Sequence, residues 1–162
     1  MGFLNGKRAL ITGIASKRSI AYGIAQSMAE QGAELAFTYP NERFKERVTR
    51  IAAEDFNSSI VLPCDVASDD EINALFGLLK KHWDGYDILV HSIAYAPQDQ
   101  LEGRFVDSVT REGFRVAHEI SSYSLAALTQ AGLSMMRPNG SVLTLTYLAS
   151  HRTVPHYNTM AL

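Results

Sequence analysis

Two tyrosines, Tyr147 and Tyr157, lie ten residues apart near the end of the sequence. A phenol beside a bound carbonyl can donate a hydrogen bond and stabilise the negative charge that develops on the oxygen. With an ordinary pKa of about 10, such a tyrosine works best beside a cation or a polarised hydroxyl. No Lys or Arg follows Tyr157 before Leu162. The pair predicts a carbonyl-directed site, although a buried tyrosine taken alone is more often a core residue with a satisfied hydroxyl.

Short β-rich runs alternate with longer helical patterns along the chain, which predicts βαβ units. We predict strands at 8–12, 33–38, 59–62, 87–90 and 141–146, helices at 20–31, 41–54, 68–82 and 113–136, and a turn at 138–140. Gly32 should close the first helix, Asn41 should cap the second, and Ser68 with Glu71 should form a capping box on the third. The fold class is therefore α/β: a three-layer, doubly wound parallel sheet of the Rossmann type, with one domain over 1–162.

Composition excludes several classes of function. The hydrophobic fraction of 46% and charged fraction of 20% are those of an ordinary soluble domain, and the net charge of -2 gives no reason to expect nucleic acid or an anionic membrane as partner. Cys64 is the single cysteine, which fits a reducing compartment. No signal peptide or long apolar run is present, so we expect a cytoplasmic protein. The five histidines lack metal-ligand spacing, and no metal is expected.

Ligands of open parallel sheets bind beyond the carboxyl ends of the strands, where Gly13, Ser19, Asp65 and Ile93 fall. Gly13 permits a tight turn, and Ser19 can place a hydroxyl beside a pyrophosphate at a helix N-terminus. Asp65 can accept a hydrogen bond from an adenine amine, and the small residues around Ile93 can line a ribose. Each has a plainer alternative: a ligand-free turn with a serine cap, a turn-forming aspartate and an ordinary strand exit.

The residues after the second strand do not decide between the nicotinamide cofactors. Pro40 and Asn41 carry no charge, whereas Glu42 and Arg43 carry opposite charges. An acidic residue there favours the 2′-hydroxyl of NADH, and a basic residue favours NADPH. Serines 121, 122 and 124 lie on a predicted helix without a partner base, which argues against a hydrolytic nucleophile.

Taken together, these segments resemble one family. The chain is similar throughout its length to bacterial enoyl-acyl-carrier-protein reductases, the divergent branch of the short-chain dehydrogenase/reductase superfamily. Besides Tyr147 and Tyr157, the runs that carry the resemblance are 12–25, 32–39, 64–66, 91–94, 109–114 and 120–124.

The resemblance implies an NADH-dependent reduction of a trans-2-enoyl thioester on acyl carrier protein, the last step of the fatty-acid elongation cycle. It also implies a homotetramer, and leucines 125, 128 and 133 fit either helix packing or a subunit interface. Tyr157 would hold the enolate oxygen, Tyr147 would face the same pocket, and Ala96 would lie beside the acyl chain. Contacts to the cofactor would come from Gly13, Ser19, Ile20, Asp65, Val66 and Ile93, with Pro40 near the adenine ribose.

Two alternatives stay open. A carbonyl or alcohol oxidoreductase of the same superfamily would use Tyr157 as acid, with Thr144 or Thr146 as the polarising hydroxyl. The second alternative is a non-catalytic fragment that binds the cofactor or oligomerises. It stays open because the family pattern has a lysine and further βα units beyond Leu162. From this we expect the N-terminal portion of a longer protein, truncated after strand five and barely active by itself.

Overall fold

A single parallel sheet organises the computed structural model, which describes residues 2–161. Its strands are β1 (Arg8–Ile11), β2 (Glu34–Tyr39), β3 (Val61–Pro63), β4 (Tyr86–His91) and β5 (Met136–Thr144). They lie in the order β3-β2-β1-β4-β5, and every pairing is parallel. The chain therefore reverses its direction of travel between β1 and β4, the switch point at which doubly wound sheets bind ligands. The predicted fold class is confirmed.

Helices connect the strands. They are α1 (Ile20–Glu30), α2 (Glu42–Phe56), α3 (Asp69–Leu79), α4 (Phe105–Ser108), α5 (Arg111–His118) and α6 (Ser124–Gly132). A π turn at Glu119–Tyr123 joins α5 to α6, and short 3₁₀ turns occupy Gln98–Leu101, Leu133–Met135, Leu148–Ser150 and Asn158–Ala161.

Two hydrophobic clusters cover the two faces of the sheet. Leu10 and Leu89 point into the cluster that α3 and α6 close, whereas Ile11 and Val90 point into the cluster that α1 and α2 close. This alternation follows from the two-residue period of a strand. Each fully buried aliphatic side chain contributes roughly 1.5–3 kcal/mol relative to exposure. The core thus fixes the strand ends that carry the site.

The helix ends follow the predictions in part. Gly32 closes α1 with a φ of +91°. The Ser68 hydroxyl accepts the Glu71 N–H at 3.3 Å, but the Glu71 carboxylate accepts from the Asp65 N–H at 2.8 Å, so only half of the capping box forms. Asn41 occupies the N-cap position of α2 without a side-chain hydrogen bond.

Two predicted boundaries are wrong. The helix predicted for 113–136 is interrupted by the π turn and ends at Gly132. The turn predicted at 138–140 lies inside β5, where the register slips from Tyr86↔Met136 to Ile88↔Ser141. Asn139 there has a φ of 63°. Because Pro138 has no N–H to donate and Asn139 tolerates the left-handed region, the extra residues bulge out of the ladder.

A group of charged side chains, the amino-edge cluster, lies at the opposite end of the sheet from the carboxyl ends of the strands. Asp87 accepts from the Lys7 ammonium at 2.9 Å and from the Arg8 backbone N–H at 3.0 Å. Arg137 bonds Asp84 at 2.8 Å and approaches Asp87 at 3.4 Å. Burial opposes ionisation of Asp87, but these donors outweigh it and lower the pKa of the carboxyl. The cluster ties β1, β4 and β5 together.

Candidate active site

A cleft of about 350 Å³, the strand-end cleft, lies at the carboxyl ends of β1 to β4. Five of the seven predicted cofactor residues line it: Gly13, Pro40, Asp65, Val66 and Ile93. The other lining residues are Ile14, Ala15, Thr38, Asn41, Phe44, Cys64, Ala94, Tyr95 and Ile120. The sheet therefore brings together predicted residues that are far apart in sequence, such as Gly13 and Ile93, which are 80 positions apart.

The floor of the cleft is backbone. Gly13 has a φ of +84°, and a Cβ at this position would lie 1.8 Å from the Ser92 carbonyl oxygen. Only glycine allows this contact between the exits of β1 and β4. Glycine at this position therefore allows the exits of β1 and β4 to pack against each other beside the cleft.

Ser19 organises the loop that precedes α1. Its hydroxyl oxygen accepts the N–H groups of Ala15 at 2.9 Å and Ser16 at 3.0 Å. A hydroxyl that accepts twice still has its proton to donate, so Ser19 can hydrogen-bond an anion at the N-terminus of α1. Arg47 on α2 also holds the loop, donating to the Ala15 carbonyl at 3.2 Å.

Ile20 does not join the cleft. As the first residue of α1, its side chain is 66% exposed and lines a different groove, together with Ile24 and Met28. Ile20 and Ser19 are thus the two predicted cofactor residues that do not line the strand-end cleft.

The Asp65 carboxylate fits both the turn-forming and the ligand-binding interpretation. One carboxylate oxygen, Oδ1, accepts the Ala67 N–H at 3.0 Å, which is the turn-forming role. No donor within residues 2–161 reaches Oδ2, so this oxygen remains available to a ligand amine. The neighbouring Cys64 is buried, which raises the pKa of its thiol to about 12 and keeps it protonated.

Tyr147 and Tyr157 meet beyond β5. Their rings lie edge to face, with centroids 5.4 Å apart and planes inclined by 71°. Burial and the neighbouring Tyr157 raise the pKa of Tyr147, so its phenol is neutral and able to donate. Neither hydroxyl has a hydrogen-bond partner in the part of the chain that the structure describes. Tyr147 lines a groove with Ser121 and Thr144, whereas Tyr157 is 38% exposed, and neither tyrosine lines the strand-end cleft.

Tyr157 is positioned by its neighbours. His156 and Asn158 on either side both have positive φ, 67° and 44°. The Asn158 side chain donates to the Gly103 carbonyl at 3.3 Å and approaches Ser108 Oγ at 3.4 Å. The sequence analysis missed Asn158, and the signal available was the tolerance of asparagine for the left-handed region.

Ser124 has a base within reach, which corrects the expectation that it has none. His91 Nε2 lies 2.8 Å from Ser124 Oγ, and His91 Nδ1 lies 3.3 Å from Thr144 Oγ1. Ser124 donates its own proton to the Ile120 carbonyl at 2.6 Å, so it accepts from Nε2. Burial lowers the pKa of His91 and favours the neutral ring. Because Ser124 is fully buried and its proton points away from His91, it is not a nucleophile.

The connection from β4 to α5 is more ordered than its polar sequence indicates. Gln100 is buried, and its Oε1 accepts the Thr110 N–H at 3.1 Å. A Cβ on Gly113 would lie 2.0 Å from the Gln100 side chain, so the connection packs tightly on α5. Ala96 begins this connection, half-buried beside Tyr95, but it does not line the strand-end cleft. Neither Gln100 nor Gly113 stood out in the sequence.

Within residues 2–161, no group of three or more His, Cys, Asp or Glu side chains could hold a metal ion. No helix in the same range has the length and apolar character needed to cross a membrane.

Comparison with known proteins identifies the family. The family model described as enoyl-(acyl carrier protein) reductase matches residues 13–162. The NADH-dependent enoyl-[acyl-carrier-protein] reductase of Haemophilus influenzae is 56% identical over 162 residues, which are 100% of this chain and 62% of that protein. The chain thus spans less than two thirds of the length of this curated relative.

Solved structures agree. The crystal structure of the corresponding NADH enzyme from Aquifex aeolicus superposes with a TM-score of 0.95 at 50% identity, over 98% of this chain and 68% of that one. The enoyl-(acyl-carrier-protein) reductase of Anaplasma phagocytophilum, solved in complex with NAD, gives a TM-score of 0.94 at 36% identity, over 99% of this chain and 62% of that one. With the family model covering nearly all of its residues, this chain belongs to the enoyl-(acyl carrier protein) reductase family.

Proposed function

We propose that this chain supplies the dinucleotide site and the tyrosine pair of an NADH-dependent enoyl-acyl-carrier-protein reductase of fatty-acid biosynthesis. The observation that carries the proposal is the strand-end cleft, which joins Gly13, Asp65 and Ile93 at the switch point of the sheet. The names of the relatives, which specify NADH, support the choice of cofactor.

The residues present fit a dinucleotide. The tight turn at Gly13 and the Ser19 hydroxyl suit a pyrophosphate, and Asp65 Oδ2 suits the adenine amine. Val66 and Ile93 supply apolar wall, and we assign Pro40, which also lines the cleft, to the adenine ribose. When bound, NADH supplies a hydride to the β-carbon of the enoyl thioester.

Tyr157 and Tyr147 act on the substrate. We assign to the Tyr157 phenol a hydrogen bond to the thioester oxygen, which becomes an enolate oxygen as the β-carbon gains hydride. Tyr147, which is neutral at physiological pH and in ring contact with Tyr157, is assigned to the same substrate pocket. A proton then reaches the α-carbon and completes the saturated thioester. Ala96 is assigned to the acyl chain, and the acyl carrier protein is the partner.

The carbonyl-reductase alternative is less well supported. It requires the hydroxyl of Thr144 or Thr146 to polarise Tyr157, and of these the Thr144 hydroxyl lies 3.3 Å from His91 Nδ1. The edge-to-face tyrosine pair favours the enoyl reductase.

The homotetramer and a cytoplasmic location belong to this proposal. Leu128 is buried in the core, whereas Leu133 is 64% exposed and Phe114 is 40% exposed along the same helical segment. These exposed side chains suit a subunit interface, which sedimentation measurements would test.

The test combines binding and turnover. Calorimetry should show that the chain binds NADH. The chain should then consume NADH when a crotonyl thioester is added and not when a ketone is added. Consumption with ketones alone contradicts the proposed reaction. Failure to bind NADH contradicts the proposed site. Binding without turnover of either substrate assigns these residues cofactor binding only.

A further inference from the structure

Two serines on the helical segment beside the strand-end cleft contact the chain as it leaves β4. Ser121, in the π turn, accepts the Tyr95 N–H at 2.9 Å and donates to the Tyr95 carbonyl at 3.1 Å. Ser124, one turn later, lies 2.8 Å from His91 Nε2. Ser121 and Ser124 are three residues apart, a spacing that brings side chains to one side of a helix. Through these two serines, one side of the helical segment hydrogen-bonds residues 95 and 91.

The segment between these contacts forms the β4 wall of the cleft. Ser92 places its carbonyl against Gly13, and Ile93 and Ala94 line the cavity. This stretch lies outside regular secondary structure, so nothing in the sheet ladder fixes residues 92–95. Ordering a residue costs about 1–2 kcal/mol of conformational entropy. If residues 92–95 were not ordered in the free protein, this cost would reduce the free energy of ligand binding.

The start of the segment is also close to the groove that holds Tyr147. His91 pairs with Thr144 as the last rung between β4 and β5, and Thr144 lines that groove together with Tyr147 and Ser121. Asp65 lies at the far side of the cleft, after β3. A dinucleotide with adenine at Asp65 would therefore place its nicotinamide half along residues 92–95.

We propose that Ser121 is a positioning residue that, with Ser124, clamps residues 91–95 and preorganises the wall for the nicotinamide half of the cofactor. This inference rests on the proposed function. The clamp acts through the backbone of Tyr95 and requires no contact between Ser121 and the ligand. π turns recur at functional sites, and this one presents the hydroxyl to the strand exit.

The chain offers a matched control. Ser122 is in the same π turn and exposed, and within residues 2–161 its side chain makes no hydrogen bond. Ser121→Ala removes both bonds to Tyr95, Ser121→Thr keeps a hydroxyl, and Ser122→Ala removes a hydroxyl without a partner. If Ser121→Ala does not fold, Ser121→Cys weakens the same bonds, since a thiol is a poor donor and acceptor.

The experiment measures NADH and AMP affinity by calorimetry and Tyr95 amide exchange by NMR. We expect Ser121→Ala to weaken the affinity for NADH about tenfold, which corresponds to roughly 1.4 kcal/mol. The same variant should leave the affinity for AMP unchanged and speed amide exchange at Tyr95. Ser121→Thr should restore NADH binding, and Ser122→Ala should match the parent chain.

Three results overturn the clamp alone: unchanged NADH affinity in Ser121→Ala despite faster Tyr95 exchange, an equal loss of AMP affinity, or the same loss in Ser122→Ala. Parent protein that does not bind NADH overturns the proposed function, and the clamp with it.

Discussion

The rings of Tyr147 and Tyr157 lie edge to face, with their centroids 5.4 Å apart, although ten residues separate them in the sequence. The contact brings two phenols to one side of the β5 exit. It also makes each tyrosine part of the other's environment, since Tyr157 contributes to the raised pKa of Tyr147.

Tyr157→Phe should preserve the ring contact and NADH affinity while lowering turnover of a crotonyl thioester by about 10²–10³-fold, the usual cost of one lost oxyanion donor. Removal of the Tyr157 hydroxyl should also lower the pKa of Tyr147, which phenolate absorbance measures. Burial will still hold that pKa above its ordinary value. Tyr123→Phe, which removes an exposed phenol bonded to Asp69, is the control. Unchanged turnover would exclude Tyr157 from the reaction.

Gly13→Ala should destabilise the chain by about 3 kcal/mol or more, since the new Cβ would meet the Ser92 carbonyl at a φ that alanine disfavours. Gly23→Ala is the matched control: it lies within α1 with no atom near its added Cβ, and it should stabilise by about 0.5–1 kcal/mol. Urea unfolding of the two variants gives the comparison. Equal stability of both would show that the β1 and β4 exits separate easily.

Tyr86→Phe should stabilise the chain by about 1 kcal/mol. The Tyr86 hydroxyl is buried and has no hydrogen-bond partner among residues 2–161, and burial raises its pKa to about 12. Gly132→Ala should destabilise, because its Cβ would lie 2.4 Å from that hydroxyl and 2.5 Å from the Phe76 ring. The double variant should recover part of this loss. Urea unfolding tests all three variants, and a loss of stability in Tyr86→Phe would contradict the assignment of an unsatisfied hydroxyl.

The free energy of unfolding should fall in acid because Asp87 in the amino-edge cluster becomes protonated. Because the folded-state pKa of Asp87 is lowered, its contribution is complete above the unfolded value of about 3.9 and is lost as the pH falls through the folded pKa. Unfolding midpoints between about pH 6 and about pH 2.5 should therefore depend less on pH in Asp87→Asn than in the parent chain. Asp99→Asn, an exposed residue outside the cluster, should retain the parent profile.

Local chemistry explains what could be predicted. The two-residue period of buried strands and the longer helical period place Gly13, Asp65 and Ile93 after strands, and parallel strands bring such residues to one edge. The position of the Ile20 side chain outside the cleft could not be predicted, because a place at the start of a helix does not specify where a side chain points. The π turn was missed because it accompanies contacts between residues far apart in sequence, such as Ser121 with Tyr95. The bulge was missed because Pro138 and Asn139 fit a turn between elements as well as a bulge inside a strand.

The sequence by itself determined the fold class, the family and the residues at the strand ends, since periodicity, turn chemistry and ordered motifs are encoded locally. Only the tertiary structure decided which side chains meet: Ser121 with Tyr95, His91 with Ser124, and Asp87 with Lys7 and Arg8. These partners are between 26 and 80 residues apart. A hydrogen bond or ion pair depends on ångström distances that arise only once the sheet and its covering helices have packed.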